Sequence, residues 1–253
     1  MEMQAYGSGF AKAYNSRWSD FAREVAPHIR HFYETTAIGQ LERTLLDLCC
    51  GTGQLAVHFL EQGYRVVGID LSQPMLHFAQ DNAREYVSTG RAAFIQADAT
   101  SFRLNESFGL VVSTFDALNH LPDEQALMKC FQRVFNVCKG IFVFDLNTRR
   151  GLEGWNGISI DDGDEGTLLI IRGIYDREGD RAWTRITGFS PTPDGLFERF
   201  DQTSFNTAFE MKRVREMLLE TGWRRVHFAR IGELNVPIDD PEYERRVFVV
   251  ASK

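Results

Sequence analysis

The chain has 253 residues and a mass of 28.9 kDa, which is enough for one large domain or for one domain with an insertion. Its composition is 43% hydrophobic and 25% charged, close to the globular average, which excludes disordered, collagen-like and fibrous classes. The 28 basic and 35 acidic residues give a net charge of -7, which argues against a nucleic-acid groove because such a groove needs a basic surface.

Three further absences in the sequence narrow the class of protein. No apolar run approaches the length of about 18 residues that crosses a bilayer, and residues 1–10 lack the pattern of a secretory signal. The four cysteines, Cys49, Cys50, Cys130 and Cys138, form no C-x-x-C pair, so no zinc site or disulfide framework is indicated. We therefore predict a reduced, cytoplasmic protein, monomeric or homodimeric, with no metal site and no nucleic-acid or membrane partner.

The first part of the chain alternates between strand and helix patterns. Strands that alternate with helices of this length form βαβ units, and hence a parallel sheet covered on both faces. The predicted elements are a helix over 6–32 broken at Pro27, a strand over 45–49, a helix over 55–60, a strand over 65–70, a helix over 75–86, strands over 93–98 and 108–114, a helix over 123–138 and a strand over 140–145.

The pattern changes after Thr148. Runs rich in β-formers occur at 167–171, 183–187 and 197–205, and turn clusters separate them at 161–166, 177–180 and 191–195. A helix over 211–220 and strands over 223–231 and 246–251 follow. We predict one domain over 1–253, a doubly wound α/β fold in which residues 151–208 form an inserted antiparallel sheet.

A glycine-rich turn joins the first strand to the next helix, in the run Asp47-Leu48-Cys49-Cys50-Gly51-Thr52-Gly53. Glycines at such a turn let a ligand approach the backbone, and the helix that follows offers unpaired N–H groups. Residues 51–56 also satisfy the G-x-G-x-x-A form of a dinucleotide fingerprint, with Asp70 placed to bind a ribose. The turn alone therefore leaves a nicotinamide cofactor open.

Carboxylates on three consecutive strands distinguish the alternatives. Asp47 lies four residues before the first turn glycine, where an anion would repel a pyrophosphate, and Asp70 can accept both hydroxyls of an adenosine ribose. Asp98 can accept from the adenine amine, with the Ala99 N–H placed for a ring nitrogen. Because the carboxyl ends of parallel strands line one crevice, these acids predict a site for a cationic nucleoside.

These motifs resemble those of the class I S-adenosylmethionine-dependent methyltransferases. The run at 47–53 is similar to the family motif D-x-G-x-G-x-G, except that Cys49 stands at the first glycine. The resemblance implies a seven-stranded Rossmann-like sheet with the last strand antiparallel, S-adenosylmethionine as cofactor and S-adenosylhomocysteine as product. It also implies a cofactor site formed by Asp47, Cys49, Gly51, Gly53, Asp70, Leu71, Met75, Asp98, Ala99 and Phe115.

The candidate base is His120, in the segment 115–121 that follows the fourth predicted strand, with Asp116 and Asn119 as second choices. The N-terminal segment 1–40, which contains Tyr14, is expected to form a helical lid. Together with the inserted sheet, these features resemble the small-molecule N-methyltransferases that act on amino sugars or glycine. That resemblance implies that Tyr14 and His120, as catalytic residues, bracket the amine of a small-molecule acceptor.

The inserted sheet is the candidate for acceptor specificity. Its aromatic and cationic residues leave two interpretations open: an aromatic roof with an arginine that clamps a carboxylate or phosphate, or an aromatic sheet core with solvated arginines outside. The second is favoured for any single residue. The residues are Trp155, Arg172, Tyr175, Trp183, Arg185, Phe197, Arg199 and Phe205. Several alternatives stay open: O-methylation, aminopropyl transfer, a binding protein without activity, and a nicotinamide oxidoreductase. The last is disfavoured because no Tyr-x-x-x-Lys occurs.

Overall fold

A computed structural model describes residues 5–163, 166–192 and 194–253. Its helices are α1 (Ser8–Arg17), α2 (Ser19–Glu34), α3 (Ala37–Leu41), α4 (Gln54–Glu61), α5 (Gln73–Asn82), α6 (Arg84–Ser88), α7 (Glu124–Val137), α8 (Arg149–Glu153) and α9 (Met211–Thr221), with 3-10 turns at Ala117–His120, Ile231–Glu233 and Pro241–Tyr243. Its strands are β1 (Thr44–Leu48), β2 (Arg65–Asp70), β3 (Ala92–Gln96), β4 (Phe108–Ser113), β5 (Cys138–Asn147), β6 (Gly157–Asp162), β7 (Leu168–Asp176), β8 (Arg181–Pro191), β9 (Phe197–Thr207), β10 (Arg225–Ala229) and β11 (Arg246–Ser252).

Seven strands form one mixed sheet in the order β10-β11-β5-β4-β1-β2-β3. The last strand, β11, runs antiparallel to both of its neighbours, whereas the pairs from β5 to β3 are parallel. The predicted doubly wound sheet with an antiparallel last strand is therefore confirmed. The order reverses at β1, and it is at such a point that a crevice opens above the carboxyl ends of the strands.

Apolar residues of the central strands fill a core on each face of this sheet. On one face Leu46, Val111 and Phe142 pack with residues of α7 and α9; on the other Leu45 and Leu110 pack with residues of α2 and α4. Neighbouring strand residues thus alternate between two buried faces, as expected for a parallel sheet covered by helices on both sides. This rigid double-sided core fixes the strand ends that carry the site.

The inserted sheet is separate and antiparallel, in the order β6-β7-β8-β9. It lies in sequence between β5 and α9, so the prediction of an inserted antiparallel sheet is confirmed. Leu169 and Ile186 of this sheet pack with Phe10 and Ala13 of α1 and with Met75 of α5. Helix α1 is therefore held between the inserted sheet and the main domain.

Three boundary predictions were wrong. The N-terminal helix breaks at Trp18, and α2 continues through Pro27, because burial of Val25, Ala26 and Ile29 offsets the hydrogen bond that proline removes. The helix predicted over 75–86 is divided at Ala83 into α5 and α6.

The third wrong boundary lies in the inserted sheet. Asp161 and Asp162, predicted to lie in a turn, pair with Leu169 and Leu168 in β6, because backbone pairing overrides their weak strand preference. The predicted turns 161–166 and 191–195 contain residues 164, 165 and 193, and the predicted lid contains residues 1–4; these residues lie outside the described ranges. No helix in the described ranges is both long and apolar enough to span a membrane.

Candidate active site

A cavity of about 460 Å³ opens above the carboxyl ends of β1, β2 and β4. Its wall includes nine of the twelve residues predicted to bind the cofactor or to act in catalysis, all but Asp47, Gly53 and Asp98. Those that line it are Tyr14, Cys49, Gly51, Asp70, Leu71, Met75, Ala99, Phe115 and His120. The same cavity extends to Trp183 and Phe205 on the inserted sheet, so one space joins the glycine turn to the predicted acceptor side.

The glycine turn has a left-handed backbone at three positions, with φ of 60° at Cys49, 53° at Gly51 and 76° at Gly53. A β-carbon at Gly53 would lie 3.0 Å from the β-carbon of Ala79, so the turn packs closely on α5. The position of Cys49 normally favours glycine, because a left-handed conformation costs a side chain about 1–3 kcal/mol. The departure from the family motif therefore places strain at the edge of the cavity.

Replacing Cys49 tests this strain. We expect Cys49→Gly to be more stable than Cys49→Ala by about 1 kcal/mol, because both lose the thiol but only glycine relieves the left-handed backbone. Urea denaturation at neutral pH measures the difference. The matched control is Ala79→Gly. This variant should be less stable than the wild type, because Ala79 is buried within a regular helix, where glycine is unfavourable. Equal stability of the two Cys49 variants would contradict the strain.

Asp70 organises the loop on either side of the cavity. One carboxylate oxygen accepts from the Gly51 N–H at 2.9 Å and the other from the Ser72 N–H at 2.8 Å. Burial raises the pKa of Asp70, although the Ser72 and Gly51 amides act in the opposite direction. Because each oxygen of a carboxylate can accept two hydrogen bonds, Asp70 keeps acceptor capacity on the cavity side.

Asp47 and Asp98 lie behind the cavity wall. Asp47 is 2% exposed, its Oδ2 has no hydrogen-bond partner among the described residues, and burial together with the charge of Asp70 raises its pKa to about 7. An unpaired buried carboxylate is costly, so this oxygen favours a nearby positive charge. Asp98 holds the next turn, since its Oδ1 accepts from the N–H and the hydroxyl of Thr100 at 2.7 and 2.8 Å.

An aromatic stripe on the N-terminal segment covers the glycine turn. Tyr6, Phe10, Tyr14 and Trp18 follow one another at intervals of four residues, and ring centroids along the stripe lie 4.4–6.0 Å apart. The Tyr14 ring lies against Gly51, where a β-carbon would be 3.6 Å from the ring. Burial raises the pKa of Tyr14 well above its usual value, so its hydroxyl is neutral.

Polar contacts fix this stripe to the main domain. The Ser72 hydroxyl donates to the Tyr6 carbonyl at 2.7 Å, and the same oxygen accepts from the Met75 N–H at the start of α5. Asn15 accepts from the side-chain amides of Gln54 and Asn82 at 3.1 and 2.8 Å. Helix α1 therefore has a defined position over the cavity.

His120 lies between the N-terminal segment and the inserted sheet. Its Nδ1 is 2.7 Å from the Phe205 carbonyl, and its Nε2 is 3.1 Å from the Tyr6 hydroxyl. A carbonyl can only accept, so Nδ1 carries the proton, and in the neutral ring Nε2 accepts from Tyr6. Tyr6 was missed by the sequence reasoning, although its spacing from Phe10 and Tyr14 placed it on the same stripe.

A charged network supports the turn that precedes His120. Arg246 of β11 binds Asp116 at 2.6 Å and also binds Asp145, which is fully buried. Asp145 in turn accepts from the Asp116 N–H at 3.0 Å, and Asn206 donates to the other Asp116 oxygen at 2.6 Å. Burial raises the pKa of Asp145, although the positive charge of Arg246 acts in the opposite direction. Burial also disfavours the charged form of Arg246, but the carboxylates of Asp145 and Asp116 raise the pKa of the guanidinium above its usual range.

This network holds two strained residues beside the cavity. Phe115 and Asp116 have φ of 64° and 49°, both in the left-handed region. The Phe115 ring stacks on Phe21 at 4.6 Å, and the Arg246 guanidinium lies 4.9 Å from the Phe21 ring centroid. Strain of this kind persists only where its surroundings fix the conformation, and here Arg246 provides that constraint.

Two second-choice predictions have other roles. The Asn119 amide donates to the carbonyls of Asn147 and Thr207 and accepts from the Asn147 N–H, so its hydrogen-bonding capacity is used in joining β5 to β9. Asp116 does line the cavity, but its two oxygens bind Arg246 and Asn206.

The arginines that the sequence singled out in the inserted sheet are exposed, as the favoured interpretation predicts. Arg185 and Arg199 both pair with Asp201, at 3.1 and 2.7 Å, and neither they nor Arg172 line the cavity. Side chains alternate between the two faces of a strand, and these arginines occupy the face that is turned away from α1. The predicted aromatic roof is in place at Trp155, Trp183 and Phe205, which line the cavity.

Comparison with known proteins identifies the family. Residues 45–140 match the model of the methyltransferase domain. The Bacillus subtilis (strain 168) protein YqeM, which is named as a methyltransferase, is 30% identical over 184 residues, covering 71% of this chain and 73% of that protein. The chain belongs to the methyltransferase family.

Solved structures of methyltransferases share the fold. The S-adenosylmethionine-dependent methyltransferase of Clostridium acetobutylicum ATCC 824 aligns with a TM-score of 0.78 and 21% identity, covering 96% of this chain and 97% of that one. The sugar N-methyltransferase KedS8 of Streptoalloteichus sp. ATCC 53650 also aligns with a TM-score of 0.78 and 21% identity, covering 100% of this chain and 96% of that one. The inserted sheet and the N-terminal helices are thus included in the likeness.

S-adenosylmethionine is the cofactor of this methyltransferase, and the residues at the glycine turn fit it. The Asp47 carboxylate with its unpartnered oxygen favours a positively charged group, and Asp70 retains acceptor capacity for ribose hydroxyls. No lysine or arginine of the described residues lines the cavity, so a pyrophosphate would find no counter-charge there. The charge pattern therefore favours a sulfonium nucleoside over a dinucleotide.

Replacing Asp70 should weaken cofactor binding. We expect Asp70→Ala to cost about 2 kcal/mol or more, which raises the Kd for S-adenosylmethionine about thirtyfold, because hydrogen bonds to a charged acceptor are lost. Titration calorimetry measures the change in Kd. The Kd of Asp70→Asn, which keeps one acceptor oxygen, should fall between those of the wild type and Asp70→Ala. Asp81→Ala on the exposed side of α5 should stay within about threefold of the wild type, since the Asp81 carboxylate pairs with Arg84 and His77 on the surface. An unchanged Kd in Asp70→Ala would remove Asp70 from the cofactor site.

Proposed function

We propose that this methyltransferase transfers a methyl group to the nitrogen of a small-molecule amine, with His120 as general base, Tyr6 as its partner, and Tyr14 positioning the reactants. In this proposal residues 1–40 form the lid of the site and residues 151–208 its roof. The observation that carries the proposal is the Tyr6–His120 pair, which lines the same cavity as Gly51 and Asp70.

A base is useful because an amine must lose its proton before it can act as a nucleophile. An aliphatic amine with a pKa near 10.4 needs about 4.6 kcal/mol to become neutral at pH 7. His120 Nε2 is the available lone pair of the imidazole, since the Phe205 carbonyl fixes the proton on Nδ1. We infer that the amine proton passes to Tyr6 Oη as the Tyr6 proton passes to Nε2, and that the Phe205 carbonyl stabilises the imidazolium.

The remaining residues orient the reactants. When bound, S-adenosylmethionine supplies a methyl group on a positively charged sulfur, which the lone pair of the amine displaces in line. Tyr14 and Phe115, whose ring centroids lie 6.1 Å apart, exclude water from the space beside Gly51. Holding the reactants in line in such a space supplies about 7–11 kcal/mol of the barrier reduction.

The relatives support an amine over an oxygen acceptor. KedS8, which covers nearly the whole chain, is a sugar N-methyltransferase. A Streptomyces venezuelae N,N-dimethyltransferase acting on a dTDP-linked amino sugar is 33% identical over 84 residues. A ubiquinone biosynthesis O-methyltransferase of Idiomarina loihiensis is 30% identical over 149 residues, which makes O-methylation the second candidate.

Product analysis tests the proposal. The protein is incubated with S-adenosylmethionine and a panel of primary amines, each matched to the alcohol or phenol of the same skeleton. We expect S-adenosylhomocysteine and a product heavier by one methyl group from amines. Methylation of the alcohols or phenols in preference to the matched amines would contradict N-methylation, and the same incubation without S-adenosylmethionine serves as the control.

Replacing Tyr6 tests its partnership with His120. Because the proton reaches His120 Nε2 through the Tyr6 hydroxyl, Tyr6→Phe should lower kcat by a factor of about 10² or more, toward the loss expected for removal of the base. It should also move the acid limb of the kcat pH profile, which a purely structural role of Tyr6 would leave in place. Cofactor affinity should change little, since the Ser72 contact is to the Tyr6 backbone. An unchanged profile would separate Tyr6 from the base.

A further inference from the structure

The inner face of the inserted sheet points to the chemistry of the acceptor. We propose that the part of the acceptor amine that enters the cavity carries no phosphate or carboxylate group, and that its neutral polar substituents bind Thr184 and Ser204. This inference rests on the proposed function and adds to it the charge class of the substrate and two specificity-determining residues.

The charges of the lining carry the first part of the proposal. In the described parts of the chain, the lining contains Asp70 and Asp116 but no lysine or arginine, and the residues outside the described ranges include neither type. An anionic substituent would therefore enter a low-dielectric space with carboxylates and without a counter-charge, which is strongly unfavourable.

The nearby arginines do not change this balance. Arg246 is shared between Asp116 and Asp145, so it is already neutralised by two carboxylates. Arg185 is bound to Asp201, and Arg181 donates to the Pro122 carbonyl at 2.6 Å. None of these guanidinium groups is a free clamp directed into the cavity.

Neutral polar side chains carry the second part. Thr184 of β8 and Ser204 of β9 are direct cross-strand partners, and both line the cavity. The Thr184 hydroxyl is buried without a hydrogen-bond partner among the described residues. A buried hydroxyl of this kind is unfavourable without a partner. A rotation about the Thr184 Cα–Cβ bond turns it toward the cavity, where a hydroxyl or amide of the acceptor is the expected partner.

Aromatic residues flank Thr184 and Ser204 and limit the shape of the acceptor. Trp183 and Phe205, the residues next to them along β8 and β9, also line the cavity, with ring centroids 5.4 Å apart. Asn206, two residues beyond Ser204, is fixed by its bond to Asp116. The acceptor is therefore expected to be compact, with an apolar face and one or two neutral hydrogen-bonding groups.

Matched acceptor pairs test the proposal. Each pair consists of one primary amine and its anionic counterpart, for example glucosamine with glucosamine 6-phosphate and tyramine with tyrosine, and kcat/KM is measured from S-adenosylhomocysteine release. The neutral or cationic member should be preferred at least tenfold. Thr184→Lys, which places a positive charge in the lining, should reduce that preference at least threefold.

Two controls isolate the charge effect. Ser159→Lys adds the same charge on the exposed edge strand of the same sheet, outside the cavity lining, and should leave the preference unchanged. Thr184→Val, which keeps the shape but removes the hydroxyl, should raise KM for hydroxylated amines without changing cofactor affinity. Calorimetry with S-adenosylmethionine verifies that each variant retains the folded cofactor site.

The outcomes separate this inference from the proposed function. Equal or better methylation of the anionic members would overturn the inference while leaving N-methylation intact. An unchanged preference in Thr184→Lys with intact cofactor binding would also overturn it. Methylation of no amine of either kind, with normal cofactor binding, would overturn the proposed function and this inference with it.

Discussion

His120→Ala is expected to lower kcat by a factor of about 10² to 10⁴, the range supplied by a general base. The Kd for S-adenosylmethionine should stay within about threefold of the wild type, as for a group acting only on the acceptor. The loss follows from the geometry, because alanine removes the Nε2 lone pair that lies 3.1 Å from the Tyr6 hydroxyl. Turnover and titration calorimetry on the same preparation measure the two effects.

A control and a pH profile make this test specific to the base. His28→Ala, on the exposed face of α2, should retain wild-type turnover. The residual activity of His120→Ala should rise with pH. At higher pH a larger fraction of the acceptor amine is already deprotonated, and hydroxide can remove the proton from the rest. A His120→Ala enzyme with turnover near that of the wild type would refute the proposed role.

Arg246→Met is expected to lower the free energy of unfolding by about 3–5 kcal/mol, because it leaves Asp116 and Asp145 as uncompensated buried carboxylates. The cost should be smaller at pH 5 than at pH 8. Without Arg246 the folded-state pKa of Asp145, already raised by burial, rises further, so protonation at low pH restores stability and ionisation at high pH removes it. Urea denaturation at the two pH values measures the difference.

The matched control is another arginine with several carboxylate partners. Arg213 binds Glu124, Glu216 and Glu220 on the surface, and Arg213→Met should cost less than about 1 kcal/mol. Adding Asp145→Asn to Arg246→Met should recover part of the loss, since it removes one uncompensated charge. Equal costs for Arg246→Met and Arg213→Met would contradict the buried network.

The sequence predicted the features that depend on local pattern. The apolar runs over 45–49 and 65–70 located β1, β2 and the glycine turn, because strands, turns and helix starts have short-range signals. The stripe containing Phe10 and Tyr14 also has such a signal, and a stricter use of its spacing of four residues would have included Tyr6.

Features that depend on distant pairing were not predictable. Arg246 reaches Asp116 across 130 positions, and His120 reaches Phe205 across 85, so no local spacing indicates either contact. The sequence alone could not decide between the two interpretations of the inserted sheet, because the strand pattern does not say which face meets α1. Only the packing of Ile186 against Phe10 decides that.

The position of Arg246 has a consequence for synthesis. The turn at Phe115 and Asp116 is held by a guanidinium that belongs to β11, 130 positions later in the sequence than Asp116. A chain emerging from the ribosome can therefore build the glycine turn and pair β1 with β2 long before His120 is held in place. The turn that carries His120 is therefore completed only after β11 has been synthesised.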